Sequence, residues 1–286
     1  DRAGLRGQDM LRLLQLGVVP FGTALISQAA VSDPLVGAPD LAGLNADMPA
    51  LRRTLAAYRP RLVQFLKQRY GLELLAVYAY PAQVLFCRQP FKRLADLAQR
   101  RVRVSSPPQA DLMEGLGAIG VNISLAELPA QLRAGQLDCA ITGTMSGHTI
   151  GLHEAASHIS PIAISWGLSL FVANGAAWAA LPPSVHTLLM QELPRLEERV
   201  WAQADRETGE GLACNTGHGA CSSGGRGGQL QLVPPDPADA ALLRKLAAQV
   251  VVPRWAQRCG PACRLAWAGT LDRVTGIALP PAAPQR

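Results

Sequence analysis

Aromatic side chains are scarce in this sequence: Phe, Trp and Tyr together make up 5% of 286 residues. That is too few to read as stacking platforms for single-stranded nucleic acid. Basic tracts are missing too. Pairs such as Arg52-Arg53 and Arg100-Arg101 are scattered with acids between them, and no basic run reaches five residues. The net charge of +6 is therefore a diffuse positive field. It suits an anionic small ligand equally well, and the lack of clustering argues against nucleic acid as a partner.

Long apolar runs are also absent, and a membrane-spanning helix needs about 18 such residues or more. The longest candidate, Ile159 to Val172, is broken by Pro161, Ser165 and Gly167, so the chain is not expected to be embedded in a membrane. The start, Asp1 to Gly7, has no apolar h-region, so no signal peptide is expected within this chain. Motifs of catalysis are lacking as well: no H-E-x-x-H, G-x-S-x-G or P-loop pattern occurs. His148, His153 and His158 recur every five residues, which spreads them around a helix. The stretch Thr142 to Gly147 contains Ser146, but without a strand-elbow-helix context it reads as a loop lining a cleft. Gly224 to Gly228 resembles a phosphate loop only in glycine content. No acid, base, nucleophile or metal set survives, and no enzyme or cofactor is expected.

What is present is a large apolar fraction, 49%, against only 17% charged residues, which suits a globular fold with a sizeable core. The length permits two lobes. Of the six cysteines, Cys214 and Cys221 flank a Gly-rich stretch, and Cys259 and Cys263 lie four apart. Two readings compete. Local pairs in loops suit disulfides and an oxidising compartment, whereas C-x6-C followed by C-x3-C could give zinc four thiolates. Neither spacing is the tight C-x2-C of most zinc ribbons, so Cys214–Cys221 and Cys259–Cys263 are read as disulfides and no metal is expected. Cys87 and Cys139 look like strand residues and are read as buried thiols.

From Leu94 to Thr142 short strands alternate with short helices. Val102-Arg103-Val104 is a strand, Pro107-Pro108 opens a helix carrying Leu112, Met113 and Leu116, and Val121 to Ser124 is a second strand. Glu127 to Arg133 is a helix closed by Gly135, and Leu137 to Ile141 is a third strand. This order predicts βαβ units, an α/β class and a largely parallel sheet. Pro182-Pro183 opens a long helix with Val185, Leu188, Leu189, Leu193, Leu196, Val200 and Ala204 on one face, kinked at Pro194. Thr208 to Gly228 reads as a loop, Leu230 to Val233 as a strand, and Ala238 to Ala256 as a helix interrupted by Pro253. The tail 280–286 reads as disordered.

Several blocks resemble the solute-binding proteins of tripartite ATP-independent periplasmic (TRAP) transporters, of the dicarboxylate-binding type. They are Leu94-Ala95-Asp96-Leu97, Arg101-Val102-Arg103-Val104, Leu116-Gly117-Ala118, Glu127 to Leu132, Gly135-Gln136-Leu137-Asp138 and Trp178 to Pro182. Their order and spacing carry the likeness. It also extends to Arg6–Leu44 and to the two C-terminal cysteine pairs.

The resemblance implies a two-lobed periplasmic-binding-protein fold with hinge strands and a long lobe-spanning helix. It assigns 1–80 plus 168–206 to one lobe and 81–167 plus 207–286 to the other, with an initial β-α-β unit missing from the first. It implies a periplasmic monomer that captures a small organic carboxylate and passes it to the TRAP membrane permease. Arg103 falls where the family's arginine forms a two-pronged salt bridge with the ligand carboxylate, chemistry that suits a guanidinium. Gln83 stands where a second arginine is often found, which points to a monocarboxylate or to a ligand with a neutral far end. Thr142 replaces a frequent Asn, and Pro129 replaces a tyrosine. Trp166 packs over the ligand or into the core, Phe21-Gly22-Thr23 approaches from the first lobe, and Tyr80 beside the hinge serves packing or binding. An enzyme on the same scaffold and the ligand-sensing domain of a regulator are the rival readings.

Overall fold

The computed structural model describes residues 7–222 and 227–279. The tail expected at 280–286 and most of the Gly224–Gly228 run lie outside the described residues. Among the described residues nine strands form two sheets. They are β1 (Phe21–Leu25), β2 (Leu72–Ala79), β3 (Gln83–Cys87), β4 (Arg101–Val104), β5 (Ile119–Asn122), β6 (Cys139–Gly143), β7 (His158–Ile159), β8 (Leu168–Asn174) and β9 (Gln231–Leu232). The first sheet has the order β1-β8-β2, antiparallel throughout. The second has the order β5-β4-β6-β3-β7-β9. These sheets, with the helices packed on them, are the two lobes of an α/β fold.

The βαβαβ run from β4 to β6 forms as its sequence predicts, with β4 parallel to both β5 and β6. The second sheet is mixed rather than largely parallel, because β3 enters antiparallel to β6 and β7. The cause is its route: β3 arrives from the first lobe through residues 80–82 with no helix in between.

Two segments cross between the lobes, 80–82 and 160–167, and they are bonded to each other. Gln83 N donates to Ser165 O at 2.8 Å, Ile164 N to Gln83 O at 2.9 Å, and Tyr80 N to Gly167 O at 3.0 Å. The third connection is the 34-residue helix Pro183–Thr216. Trp201 Nε1 donates to Val77 O of the first sheet at 2.7 Å, and Thr144 Oγ1, just after β6, donates to Glu207 O at 3.2 Å. One helix therefore touches both lobes. It runs through Pro194 to Thr216, so residues 208–216, expected to be loop, are helical. Gly211 is there for close approach, not for a turn. A Cβ at this position would lie 2.5 Å from Met145 N and from Thr144 Oγ1.

Helix Met48–Tyr70 underlies the first sheet. Asp47 caps its start by accepting from Ala50 N at 2.7 Å, and Leu51, Leu55, Tyr58, Leu62 and Leu66 form its buried stripe. The break expected at Pro253 is a π turn, Ala247–Val251, between helices Pro237–Leu246 and Val252–Cys259. Helix Val252–Cys259 also bridges the layers. Trp255 Nε1 donates to Pro34 O at 2.7 Å, while Arg258 pairs with Asp111 of helix Pro107–Gly115.

All six cysteines are paired: Cys214–Cys221, Cys259–Cys263 and Cys87–Cys139. The last pair corrects the reading of two buried thiols. The β3–β6 register sets Cys87 directly opposite Cys139, with Cα atoms 4.0 Å apart, and their sulfurs join across the sheet.

Candidate functional site

Strand β4 carries two arginines on one face, two residues apart, and they have different surroundings. Arg101 is partly exposed and neutralised: its Nη2 lies 2.8 Å from Asp138 Oδ1 and its Nε 3.0 Å from Asp138 Oδ2. Arg103 is only 6% exposed. Its Nε donates to Ile123 O at 3.1 Å and its Nη1 to Ile141 O at 2.9 Å. Both partners are neutral carbonyls, and among the described residues no carboxylate pairs with it. Burial alone lowers its pKa to about 10. A buried cation without a counter-charge is costly, and the two carbonyls aim the guanidinium without neutralising it.

Register places the other residues. Arg103 pairs with Ala140 on β6. Thr142 lies two residues further along, so its buried side chain emerges on the same face as Arg103. Gln83, at the start of β3, faces Gly143 across the antiparallel pair. Its side-chain Nε2 donates to Pro81 O at 3.2 Å, and a Cβ on Gly143 would come within 3.1 Å of that nitrogen. Tyr80 is 44% exposed and packs beside Gly167, where a Cβ would lie 3.5 Å from Tyr80 Cβ. Gly167 has φ +94°, a region side chains rarely adopt, so the crossover needs a glycine here. Arg103, Thr142, Gln83 and Tyr80 thus lie on β4, β6, the start of β3 and the adjoining crossover.

Trp166 and Thr23 have different surroundings. Trp166 is 3% exposed, and its indole Nε1 donates to Asn45 O at 3.0 Å, so its polar end is already used within the core. Thr23 is exposed on β1, opposite Phe171 of β8, in the first sheet. No hydrogen bond among the described residues joins it to the Arg103 strand.

Two polar groups that sequence reasoning passed over fix this region. Asp40 Oδ1 accepts from Trp166 N at 2.8 Å and Oδ2 from Gly167 N at 2.7 Å, so one carboxylate of the first lobe holds the returning crossover. Burial raises its pKa to about 6, with the two backbone bonds pulling the other way. Gln109 is 2% exposed; its Oε1 accepts from Ser105 N at 2.8 Å and its Nε2 donates to Ser165 Oγ at 2.9 Å. It ties the loop after Arg103 to the same crossover. Neither residue stands in a motif. Each acts across more than fifty positions of sequence, which a linear pattern does not reveal.

Residues 5–213 match the model of a family described as bacterial extracellular solute-binding protein, family 7. Set against curated protein sequences, the chain has no significant match. Several solved structures share the fold. A Bordetella pertussis extracytoplasmic solute receptor binding pyroglutamic acid is 23% identical with a TM-score of 0.79, covering 94% of this chain and 84% of the other. A TRAP periplasmic solute-binding protein from Desulfovibrio salexigens with bound orotic acid is 15% identical with a TM-score of 0.80, covering 95% and 85%. The periplasmic ectoine-binding protein of a TRAP transporter from Halomonas elongata is 15% identical with a TM-score of 0.76, covering 95% and 84%.

Proposed function

The chain belongs to the bacterial extracellular solute-binding proteins of family 7, and from that premise we propose that it captures a small organic carboxylate on Arg103 and delivers it to a TRAP membrane permease. The observation that carries this reading is the uncompensated guanidinium: buried, aimed by two carbonyls and lacking an acid among the described residues. A carboxylate would supply the missing charge, and its two oxygens match the guanidinium's parallel donors.

The neighbouring groups favour one negative charge on the ligand. Gln83 and Thr142 offer hydrogen bonds without charge, and Arg101 is already held by Asp138. A monocarboxylate whose far end is neutral and polar fits this set better than a dicarboxylate. Pyroglutamic acid, the ligand of the Bordetella receptor, is of this class and is a rational first probe. Capture works by closure: the acid docks on Arg103, and the lobes fold over it about the paired crossovers and the long helix. Excluding water then strengthens the ion pair.

No helix among the described residues is long and apolar enough to cross a membrane. Family membership and the three disulfides support work in the periplasm as a receptor, without catalysis. The test is a thermal-shift screen of the purified chain against small carboxylates, each paired with its amide or methyl ester. An acid at about a hundred times its dissociation constant adds about 2.7 kcal/mol, a shift of several degrees. Acids that shift the protein while their uncharged partners fail support the reading. Equal shifts by acid and amide, or none from any acid on a folded sample, overturn it.

A further inference from the structure

Beside the second sheet, around the helix that follows β6, lies a cluster that the solute-binding reading leaves unused. Helix Thr144–Thr149 presents His148, the turn after it presents His153, and the end of the long helix brings Cys214 beside Cys221. One ring nitrogen of His148 and the sulfurs of Cys214 and Cys221 all lie within 4.8 Å of one another. The His148 and His153 rings stack, with centroids 4.6 Å apart and planes at 25°.

The second observation is independent of that spacing. Three buried side-chain polar atoms have no hydrogen-bond partner among the described residues: His148 Nδ1, His153 Nδ1 and Asn215 Oδ1. All three belong to this one region, since Asn215 follows Cys214 and its Nδ2 donates to Thr144 O at 2.9 Å. His148 is only 6% exposed. Orphaned buried polar atoms are rare and call for a ligand or an ordered water, and three together are rarer still.

We propose that the Cys214–Cys221 disulfide is a reducible gate over a Cys2His site for a soft or borderline divalent metal ion of the zinc and cobalt class. A dithiol donor supplies two electrons and two protons: the S–S bond breaks, two thiols form, and the donor leaves as its own disulfide. The metal ion then displaces the two thiol protons and takes two thiolates and the His148 imidazole as ligands, a donor set typical of zinc. In the oxidised protein the sulfurs are bonded to each other and the site is closed. His153 stacks on the ligating ring and holds its orientation.

Cobalt(II) added to the full chain, before and after treatment with a dithiol, tests this by thiolate-to-cobalt charge-transfer absorption and by equilibrium dialysis. The expected result is one cobalt per chain with the charge-transfer band in the reduced protein, and neither in the oxidised protein. Cys214→Ser/Cys221→Ser should abolish the band. His148→Gln, close in volume, should weaken binding at least about tenfold while leaving the released thiol count unchanged. Cys259→Ser/Cys263→Ser should bind as wild type. A folded reduced protein without the band, or a band that survives Cys214→Ser/Cys221→Ser, overturns the proposal. So does His148→Gln binding as tightly as wild type, which would leave the orphaned nitrogens as water sites. None of these readouts depends on the Arg103 ligand.

Discussion

At the scale of single residues, charge without a partner organises the candidate site. Arg103 and Arg101 share a strand and a face, and the difference between them is Asp138. Removing a buried charged partner from a complex costs about 2–5 kcal/mol, so Arg103→Ala should weaken carboxylate binding by roughly two to three decades or more. Arg103→Lys keeps the charge but loses the fork and both carbonyl bonds, and should still fall at least about tenfold. Calorimetric titration measures both, with circular dichroism as the check on folding; wild-type affinity in either variant would move the ligand elsewhere. Asp40 makes a different prediction. Its carboxyl, ordinarily near 3.8, is held at about 6 in the fold, so the folded protein keeps that proton more tightly than the unfolded chain. The resulting stabilisation is present in full below the ordinary value and is lost as pH rises through about 6, on the order of 3 kcal/mol in all. Urea unfolding of wild type against Asp40→Asn, from about pH 4 to pH 7, should show the stability difference shifting against the wild type across that window and flat above it. A pH-independent difference would mean that Asp40 titrates at its ordinary value.

At the scale of elements, what was legible in the sequence is what is local. The β4–helix–β5–helix–β6 run announces itself through short apolar strands, paired prolines and closing glycines, and it forms where expected. Arg103 was singled out by the family resemblance and not by the strand, since an arginine within Val-Arg-Val alone reads as a surface residue. The rest depends on partners far along the chain. The Cys87–Cys139 bond spans 52 positions and exists because two strands meet in one register. The end of the long helix was misplaced for a related reason. Glycine usually marks a turn, yet Gly209 and Gly211 lie inside a helix, and at Gly211 the tight packing on Met145 and Thr144 demands it. Gly211→Leu should therefore destabilise the protein by about 1–3 kcal/mol, the scale of overpacking in a close-packed interior. Gly209→Ala, at a position with open space around the added methyl, should be neutral or slightly stabilising by helix propensity. Chemical denaturation of the two variants checks this directly; a destabilised Gly209→Ala beside a neutral Gly211→Leu would reverse the assignment.

At the scale of the whole molecule, the lobes are joined in more places than two hinge strands alone would provide. The crossovers bond to each other, the long helix holds Val77 from Trp201 at its middle and Thr144 from Glu207 further on, and helix Val252–Cys259 reaches both Pro34 and Asp111. Closure must preserve these anchors, so the motion has to concentrate where no such anchor lies. The stretch of the long helix between Trp201 and Glu207 meets that condition, and the crossovers 80–82 and 165–167 have to turn with it as one bonded unit. Ligand binding should then make the molecule more compact without altering its helix content. Small-angle X-ray scattering is expected to show a radius of gyration that falls when a stabilising acid is added to the wild type. In Arg103→Ala, at the same acid concentration, the radius should stay at its unliganded value, because the charge that holds the acid between the lobes is gone. A thermal shift without compaction would point to binding on one lobe only, and the inter-lobe trap would have to be abandoned while the receptor assignment stood. Compaction by an acid in Arg103→Ala would instead keep the trap and remove Arg103 from it.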